Sequence, residues 1–252
     1  MNPADDPGSA AARPSSWRRW LQLLSPAAVS VGHTERLRVA VGAFLGILVA
    51  ALLCRAASAL WGVTPWLMAP LGASAVLVFA MPASPLAQPW PVLVGNTLST
   101  LCGVLCASLV SDVALAGALA VSVAILLMFA TRSLHPPGGA AALLAVISGA
   151  TPQFALFPVA SSSLLLLVAG MIYNRLTRHD YPHRQVSSAV PARSRFSRAD
   201  LDAALAHYNQ VLDVSRADLA EVLEYAEAQA YQRQLGDLKC ADIMTRSVIT
   251  AD

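Results

Sequence analysis

Apolar residues in this chain come in long runs with few polar breaks, at about 37–60, 66–81, 91–110, 113–131, 138–150 and 156–175. Runs of this length, apolar on every side, predict helices set in lipid or in a fully buried core; half-buried strands would alternate instead. A helix needs about 20 residues to cross roughly 30 Å of hydrocarbon. At about 1.5 Å rise per residue the second and fifth runs reach only about 24 and 20 Å. Each opens at or just after a proline and carries glycines in its first turn.

Those two short runs are also the best-matched parts of an internal repeat. APLGASAVLVFA at 69–80 returns, degraded, as HPPGGAAALLAV at 135–146, so that Pro70, Gly72, Ala75 and Leu77 map onto Pro136, Gly138, Ala141 and Leu143 at an offset of 66. Beyond a one-residue insertion, Pro85, Pro91 and Gly103 align with Pro152, Pro158 and Gly170 at an offset of 67. Proline and glycine fix backbone geometry and carry most of the weight of the match. Three spans per copy is an odd number, so the second copy enters the bilayer from the opposite side, as in transporters built from inverted repeats. The expected fold is an all-α membrane protein with about six transmembrane or re-entrant helices as a 3+3 inverted repeat, followed by a short soluble helical tail. A four-span version, with 138–150 and one other run re-entrant, satisfies the same parity.

Composition agrees with this pattern. The chain is 56% hydrophobic and only 13% charged, against roughly 25% charged residues in a soluble domain. Between Val39 and Met171 the ionisable side chains, cysteines aside, are Arg55, Asp112, Arg132 and His135. Arginines flank the membrane region at Arg13, Arg18, Arg19, Arg36 and Arg38 and again at Arg175, Arg178 and Arg184, which predicts that both ends face the cytoplasm of a cell or inner membrane. The formal net charge of +2 gives no reason to expect a nucleic-acid partner. Cys54, Cys102, Cys106 and Cys240 show no Cys-x-x-Cys spacing and read as reduced packing residues rather than a metal set.

Residues 1–36 form a basic leader in which SWRRWLQLL at 16–24 suits a helix lying at the membrane surface. The leader has no apolar run followed by a cleavage site of the signal-peptide kind. Residues 37–176 are the transmembrane domain and 177–198 a linker with Pro182 and Pro191. A soluble helical segment at 199–236 contains two stretches opened by SRADL, at Ser197 and Ser215, each with serine as N-cap and Asp three residues on. Tyr208, Leu212, Leu219, Leu223 and Ala226 give that segment an apolar stripe.

His135, Pro136 and Pro137, followed by Gly138, Gly139 and Ala140, together with GASAVLVFAMPASPLAQPW at 72–90 and the GNTLS run from Gly95, resemble the HPP family of integral membrane proteins over essentially 37–176. That resemblance implies a membrane transporter, with nitrite the substrate associated with plant and cyanobacterial relatives. Similarly, KCADIMTRSVITAD from Lys239 resembles the opening of a CBS domain, a module that in other proteins pairs with a second copy and often binds adenine nucleotides. Only the opening lies within 237–252, so no nucleotide site is expected, and a longer natural chain with complete CBS domains stays open.

Residue chemistry supplies a candidate site for a small inorganic anion. Pro136 or Pro137 fits the first position of a helix, and Gly138 and Gly139 leave the first-turn N–H groups approachable. A helix N-terminus presents unpaired donors and partial positive charge, which suits an anion. Inverted symmetry aims the equivalent end, near Pro70, Gly72 and Ser74, from the other face, and Ser74, Asn96 and Thr97 can add neutral hydrogen bonds. His135 either titrates and couples protons or makes a plain backbone hydrogen bond. Arg55 and Arg132 are candidates for an electropositive entrance, with snorkelling and positive-inside anchoring as the competing readings. Gln88 either lines a pathway or caps a helix. Gly42 and Gly46 form a GxxxG that permits close helix approach within one protomer or between two, which keeps a homo-oligomer in view. No GxSxG, HExxH, phosphate loop or paired intramembrane carboxylates occur, so the chain is expected to be no enzyme and to need no cofactor or metal. The competing function is a sensory or regulatory membrane module that signals through its tail.

Overall fold

A computed structural model describes Trp17 and residues 32–61, 67–183, 197–208 and 214–237. The surface helix expected at 16–24, apart from Trp17, and the CBS-like stretch at 239–252 lie outside the described residues. Two compact units are distinguished, Met1–Arg36 and Leu37–Asp252, and the packing below belongs to the second.

Six apolar helical elements follow one another: α1 (His33–Trp61), α2 (Pro70–Ala80), α3 (Pro89–Leu109), α4 (Val113–Ala130), α5 (Pro136–Ile147) and α6 (Pro152–Leu176). Two polar helices, α7 (Arg198–Tyr208) and α8 (Arg216–Asp237), form the tail. No strand occurs among the described residues. α1, α3, α4 and α6 are long and apolar enough to cross a membrane. At 11 and 12 residues, α2 and α5 reach only about 16–18 Å.

Prolines set where these helices begin. Pro70, Pro89, Pro136 and Pro152 open α2, α3, α5 and α6, at the position where a missing N–H breaks no helical bond. Hence α5 starts at Pro136 and ends at Ile147, not at 138 and 150 as the apolar run suggests, and α2 starts at Pro70 rather than 66. The sixth run is not one regular helix from 156. It opens at Pro152, breaks at Phe157 (φ −133°, ψ 123°) before Pro158, and becomes regular from Ser161, because a proline inside a helix removes a donor and clashes with the preceding turn. α4, α5 and α6 stop in a common way: the N–H of Ser133, Ala150 and His179 reaches back to Met128, Ala145 and Asn174 carbonyls at 2.8, 3.0 and 2.8 Å. The residues before them, Arg132 (φ 54°), Gly149 (φ 57°) and Arg178 (φ 63°), take the left-handed conformation that this cap requires.

Chain direction follows from the contacts. Arg38 near the start of α1, Asn174 near the end of α6 and the carbonyls of Val78 and Phe79 at the end of α2 are hydrogen-bonded together. The start of α3 lies at the same end, since Ala87 and Gln88 bond to Tyr181 and His183 just beyond α6. Trp90 donates to Thr131 O at 3.1 Å and brings the close of α4 there too. Arg38, Arg132, Arg175 and Arg178 thus share one end, the arginine end, whereas Asp112 caps the start of α4 at the other. α1 leaves the arginine end and α3 starts from it, so α2 must carry the chain back. By the same reasoning α5 carries it away, with Val146 packed among Cys102, Cys106 and Val110 toward the far end of α3. The six elements thus alternate in direction, and α2 and α5 run in opposite senses.

Packing obeys the repeat. In one core, Phe79 of α2 fills the notch made by Gly42 and Gly46 of α1 and Val78 seats on Gly170 of α6. In the other, Leu143 of α5 lies against Gly117 of α4, and Ala142 and Ala145 seat on Gly103 of α3. The matched glycines, Gly103 and Gly170, therefore receive matched short helices in opposite halves, as a pseudo-twofold axis demands. The GxxxG of α1 is used within the chain, where a Cβ on Gly46 would stand 2.6 Å from the Phe79 ring. Leu37, Phe44, Leu48, Leu53 and Leu126 remain exposed, the outward face a lipid-embedded bundle presents.

The tail is separately built. Ser197 and Asp200 form a reciprocal capping box at the start of α7, with Asp200 N donating to Ser197 Oγ at 3.2 Å and Ser197 N donating to Asp200 Oδ2 at 2.7 Å. The Ser197 N–H and the Ser197 hydroxyl, each donating to Oδ2 at 2.7 Å, hold the Asp200 carboxyl below its usual range. Ser215 caps α8 in the same way (3.1 Å), but Asp218 turns instead to His183 Nε2 at 2.9 Å. Of the expected apolar stripe, Leu223 is exposed and Leu212 lies outside the described residues.

Candidate functional site

Where the two short helices approach, a group of polar side chains is sealed inside the bundle. Ser74, Asn96, Ser99, Thr100, Ser133, His135, Ser162 and Ser163 are all fully buried. Buried polar groups are strongly disfavoured unless bonded to one another, and the centre of this group is so bonded. His135, the residue before α5, places Nε2 2.8 Å from Ser74 Oγ of α2 and Nδ1 2.9 Å from the Leu86 carbonyl. Asn96 Nδ2 on α3 donates to Ser74 Oγ at 3.1 Å and to Ser163 Oγ of α6 at 3.3 Å. Asn96 and Ser163 are equivalent in the repeat, at the offset of 67, so their contact marks the pseudo-twofold axis.

Two buried atoms of the group, Asn96 Oδ1 and Ser99 Oγ, have no hydrogen-bond partner. A buried polar atom left so costs about 1–3 kcal/mol, and such atoms stay in a fold where a ligand or solvent group can meet them. Ser99 also sits at the mouth of α5: a Cβ on Gly138 would lie 2.8 Å from Ser99 Oγ, 2.9 Å from Gly95 O and 3.1 Å from Met128 Sδ. The hydroxyl is thus held against the positive end of the α5 dipole.

The other residues singled out from the sequence are distributed more widely. Pro137 and Gly138 are buried, Pro136 is exposed and Gly139 is half-buried, with Val121 Cγ1 3.8 Å from where its Cβ would be. The first turn of α5 is therefore packed rather than approachable, because Gly138 lets α3 come close. Gly72 is exposed with nothing within 4 Å of a Cβ built on it, which puts it on the face of α2 away from Ser74. Thr97 donates to Leu93 O of its own helix at 2.7 Å. Arg55 and Arg132 are both exposed, Arg55 on α1 and Arg132 at the cap of α4, and neither reaches the buried group. Gln88 is a structural clamp: Nε2 donates to Pro82 O and Ser84 O at 2.9 and 2.8 Å while Oε1 accepts from His183 N at 2.8 Å.

Ser99, Ser163 and the Leu86 carbonyl were not singled out by sequence. Ser163 was discoverable as the repeat mate of Asn96, and Ser99 as the residue one turn further along the same face of α3. Nothing in the sequence indicates the Leu86 carbonyl, because any residue carries one.

Above this group, at the arginine end, Arg175, Arg178, His179, Asp180, Tyr181, Pro182 and His183 line a cleft of about 600 Å³. Tyr181 donates to Ala87 O at 2.7 Å, and burial pushes its phenol well above the usual range. The floor of the cleft is thus bonded to Ala87 and Gln88, immediately after the carbonyl that holds His135. Among the described residues no group of three or more His, Cys, Asp or Glu side chains is arranged to hold a metal.

Comparison with known proteins bears on residues 28–182, which match the family described as HPP, transmembrane region. A transmembrane protein of Dictyostelium discoideum is 41% identical over 148 residues, 55% of this chain and 47% of that protein. A second transmembrane protein of the same organism is 40% identical over 149 residues, 55% of this chain and 52% of its own length. The chain spans about half the length of these curated relatives. No solved structure matches it.

Proposed function

From the premise that the chain belongs to the HPP transmembrane family, we propose that it is a carrier for a small inorganic anion, working in a cell or inner membrane with the arginine end in the cytoplasm. The observation that supports this most is the buried polar group at the pseudo-twofold axis, with an unpaired Ser99 hydroxyl beside the N-terminus of α5. A hydroxyl donor and a helix dipole favour an anion without a neighbouring fixed cation, and a site at the interface of two inverted halves is where alternating access operates. Arg175 and Arg178, against the single carboxylate of Asp180 in the same lining, give the cleft a positive potential that gathers anions at its mouth. Arginines concentrated at one end support the cytoplasmic orientation of both termini. Nitrite and nitrate are the favoured substrates on the sequence resemblance. The carrier needs no cofactor and performs no covalent chemistry; its surroundings are the lipid bilayer.

A second reading has one observation in its favour. Asp218 of α8 bonds to His183, whose N–H bonds to Gln88, so the tail is connected through two side chains to the loop that holds His135. On this reading the tail adjusts the membrane domain or reports its state to a partner.

Flux of nitrite, nitrate and chloride into proteoliposomes tests the carrier. At least one of the three is expected to enter well above protein-free vesicles, and Ser99→Ala is expected to slow it about tenfold, the loss of one hydrogen bond of about 1.4 kcal/mol. Equal entry of all three with and without protein ends the anion reading. Flux that changes when residues 197–237 are removed favours the tail's regulatory part.

A further inference from the structure

The ring of His135 is held so that it accommodates two proton states without moving. Leu86 O, 2.9 Å from Nδ1, can only accept, so Nδ1 carries a hydrogen in both states. Nε2 faces Ser74 Oγ at 2.8 Å, and that hydroxyl has a second acceptor, Pro70 O, at 3.3 Å. In the neutral imidazole Nε2 accepts the hydroxyl hydrogen of Ser74. In the imidazolium Nε2 donates to Ser74 Oγ, and the hydroxyl hydrogen turns to Pro70 O. Asn96 Nδ2 donates to Ser74 Oγ in either state, at 3.1 Å.

Among the described residues the groups bonded to the ring, Ser74 Oγ from α2 and the Leu86 carbonyl from the turn after it, are neutral; so are the Pro70 carbonyl and Asn96, which bond to Ser74, and Gly95 of α3, which lies against His135 Cβ. An imidazolium here is a buried charge without a counter-ion, and an anion beside Ser99 is another. Each alone is strongly disfavoured. Together they neutralise one another in a medium of low dielectric, where attraction between unlike charges is large.

We propose that His135 is a proton-binding site that loads together with the anion, so that the protein carries one proton with each monovalent anion. The inference rests on the carrier reading above and deepens it. A proton from solution bonds to Nε2, the Ser74 hydroxyl rotates from Nε2 to Pro70 O, and the anion enters beside Ser99; the loaded site has no net charge. Release on the far side reverses each step. The rotating hydroxyl bonds to the first residue of α2, so proton loading is registered on one of the two short helices at the axis.

Proton stoichiometry of the intact chain tests this directly. Addition of potassium nitrate to purified, weakly buffered protein is expected to take up about one proton per bound anion, with the nitrogen-15 signals of one histidine moving to the imidazolium pattern. In proteoliposomes an inward proton gradient is expected to drive nitrate above its equilibrium level, with affinity rising up to about tenfold per unit fall in pH above the site's titration. His135→Gln is expected to abolish proton uptake. Ser74→Ala, which removes the partner of the protonated ring, is expected to move the midpoint of uptake, and an unmoved midpoint overturns the part given to Ser74. Should His135→Gln fail to fold, the proton count and histidine spectrum of the unmodified chain decide. Nitrate flux that ignores the proton gradient, with no proton uptake, overturns the coupling and leaves the carrier standing. No flux of any anion overturns both.

Discussion

Gly72 and Gly138 hold the same place in the two halves of the repeat, yet their surroundings are opposite. Around Gly72 there is open space, whereas Gly138 is pressed between Ser99, Gly95 and Met128. The ends of the two short helices differ as well. α2 finishes under Arg38 and Asn174, which donate to the carbonyls of Phe79 and Val78 at 2.8 and 3.0 Å; α5 finishes in its own chain, with Ser148 Oγ bonding back to Leu144 O. His135 has Ala69 as its repeat mate and Ser74 has Ala140. Duplication thus accounts for the frame, and divergence for the site. A bundle that must hold one polar pair on its axis needs one histidine from one half and one hydroxyl from the other, not two of each.

Substitutions at matched positions can break or sharpen this contrast. The largest effect is expected at Gly103, where an added Cβ runs into the backbone carbonyl of Ala142; Gly103→Ala is expected to lower stability by about 3 kcal/mol. Its mate Gly170 is crowded by a side chain, that of Val78 at 2.5 Å, so Gly170→Ala should cost about half as much by the same crowding. Thermal melts of the purified protein measure both, and a reversed order would show that α3 and α5 are less tightly seated than α2 and α6. Next comes Gly138→Ala, expected to cost about 2 kcal/mol through the Gly95 carbonyl and to slow anion flux. Asn174→Ala, which frees the Val78 carbonyl and one bond of Arg38, is expected to cost about 1–2 kcal/mol, whereas Ser148→Ala at the exposed end of α5 should change stability by under about 0.5 kcal/mol. Smallest is Gly72→Ala: with space for the methyl and a helical backbone, it is expected to stabilise by about 0.5–1 kcal/mol. A large loss at Gly72 would mean that this face of α2 is covered in the membrane.

Much of the frame was legible because its causes are local. Apolar runs, prolines at N1 and arginines near the span ends each act within a few residues, and all four long helices and both short ones lie where those signals put them. Errors came where local chemistry was read as a single run. Pro158 interrupts α6 as surely as Pro152 starts it, two residues into the apolar stretch that was read as one helix. The site was legible in part. His135, Ser74 and Asn96, legible as hydrogen-bonding residues near the two short helices, do meet; Thr97, Arg55, Arg132 and Gln88 carry the same polarity but spend it on their own helix, on the surface or on a loop clamp. Sequence polarity states that a partner is needed and not which one.

By itself the sequence determined that this chain lives in a membrane and that its membrane region has six apolar helical elements with two cut short; it raised the expectation of an inverted repeat. Composition, proline placement and the repeat offset suffice for those, since each works through hydration or backbone geometry along a short stretch of chain. Tertiary structure alone decided that Gly138 is a contact and Gly72 is not, that Arg38 and Asn174 clasp the end of α2, and that His135 meets Ser74, 61 residues away. Those outcomes depend on which faces of separate helices come together. Close packing settles that in three dimensions, between residues that no local pattern connects.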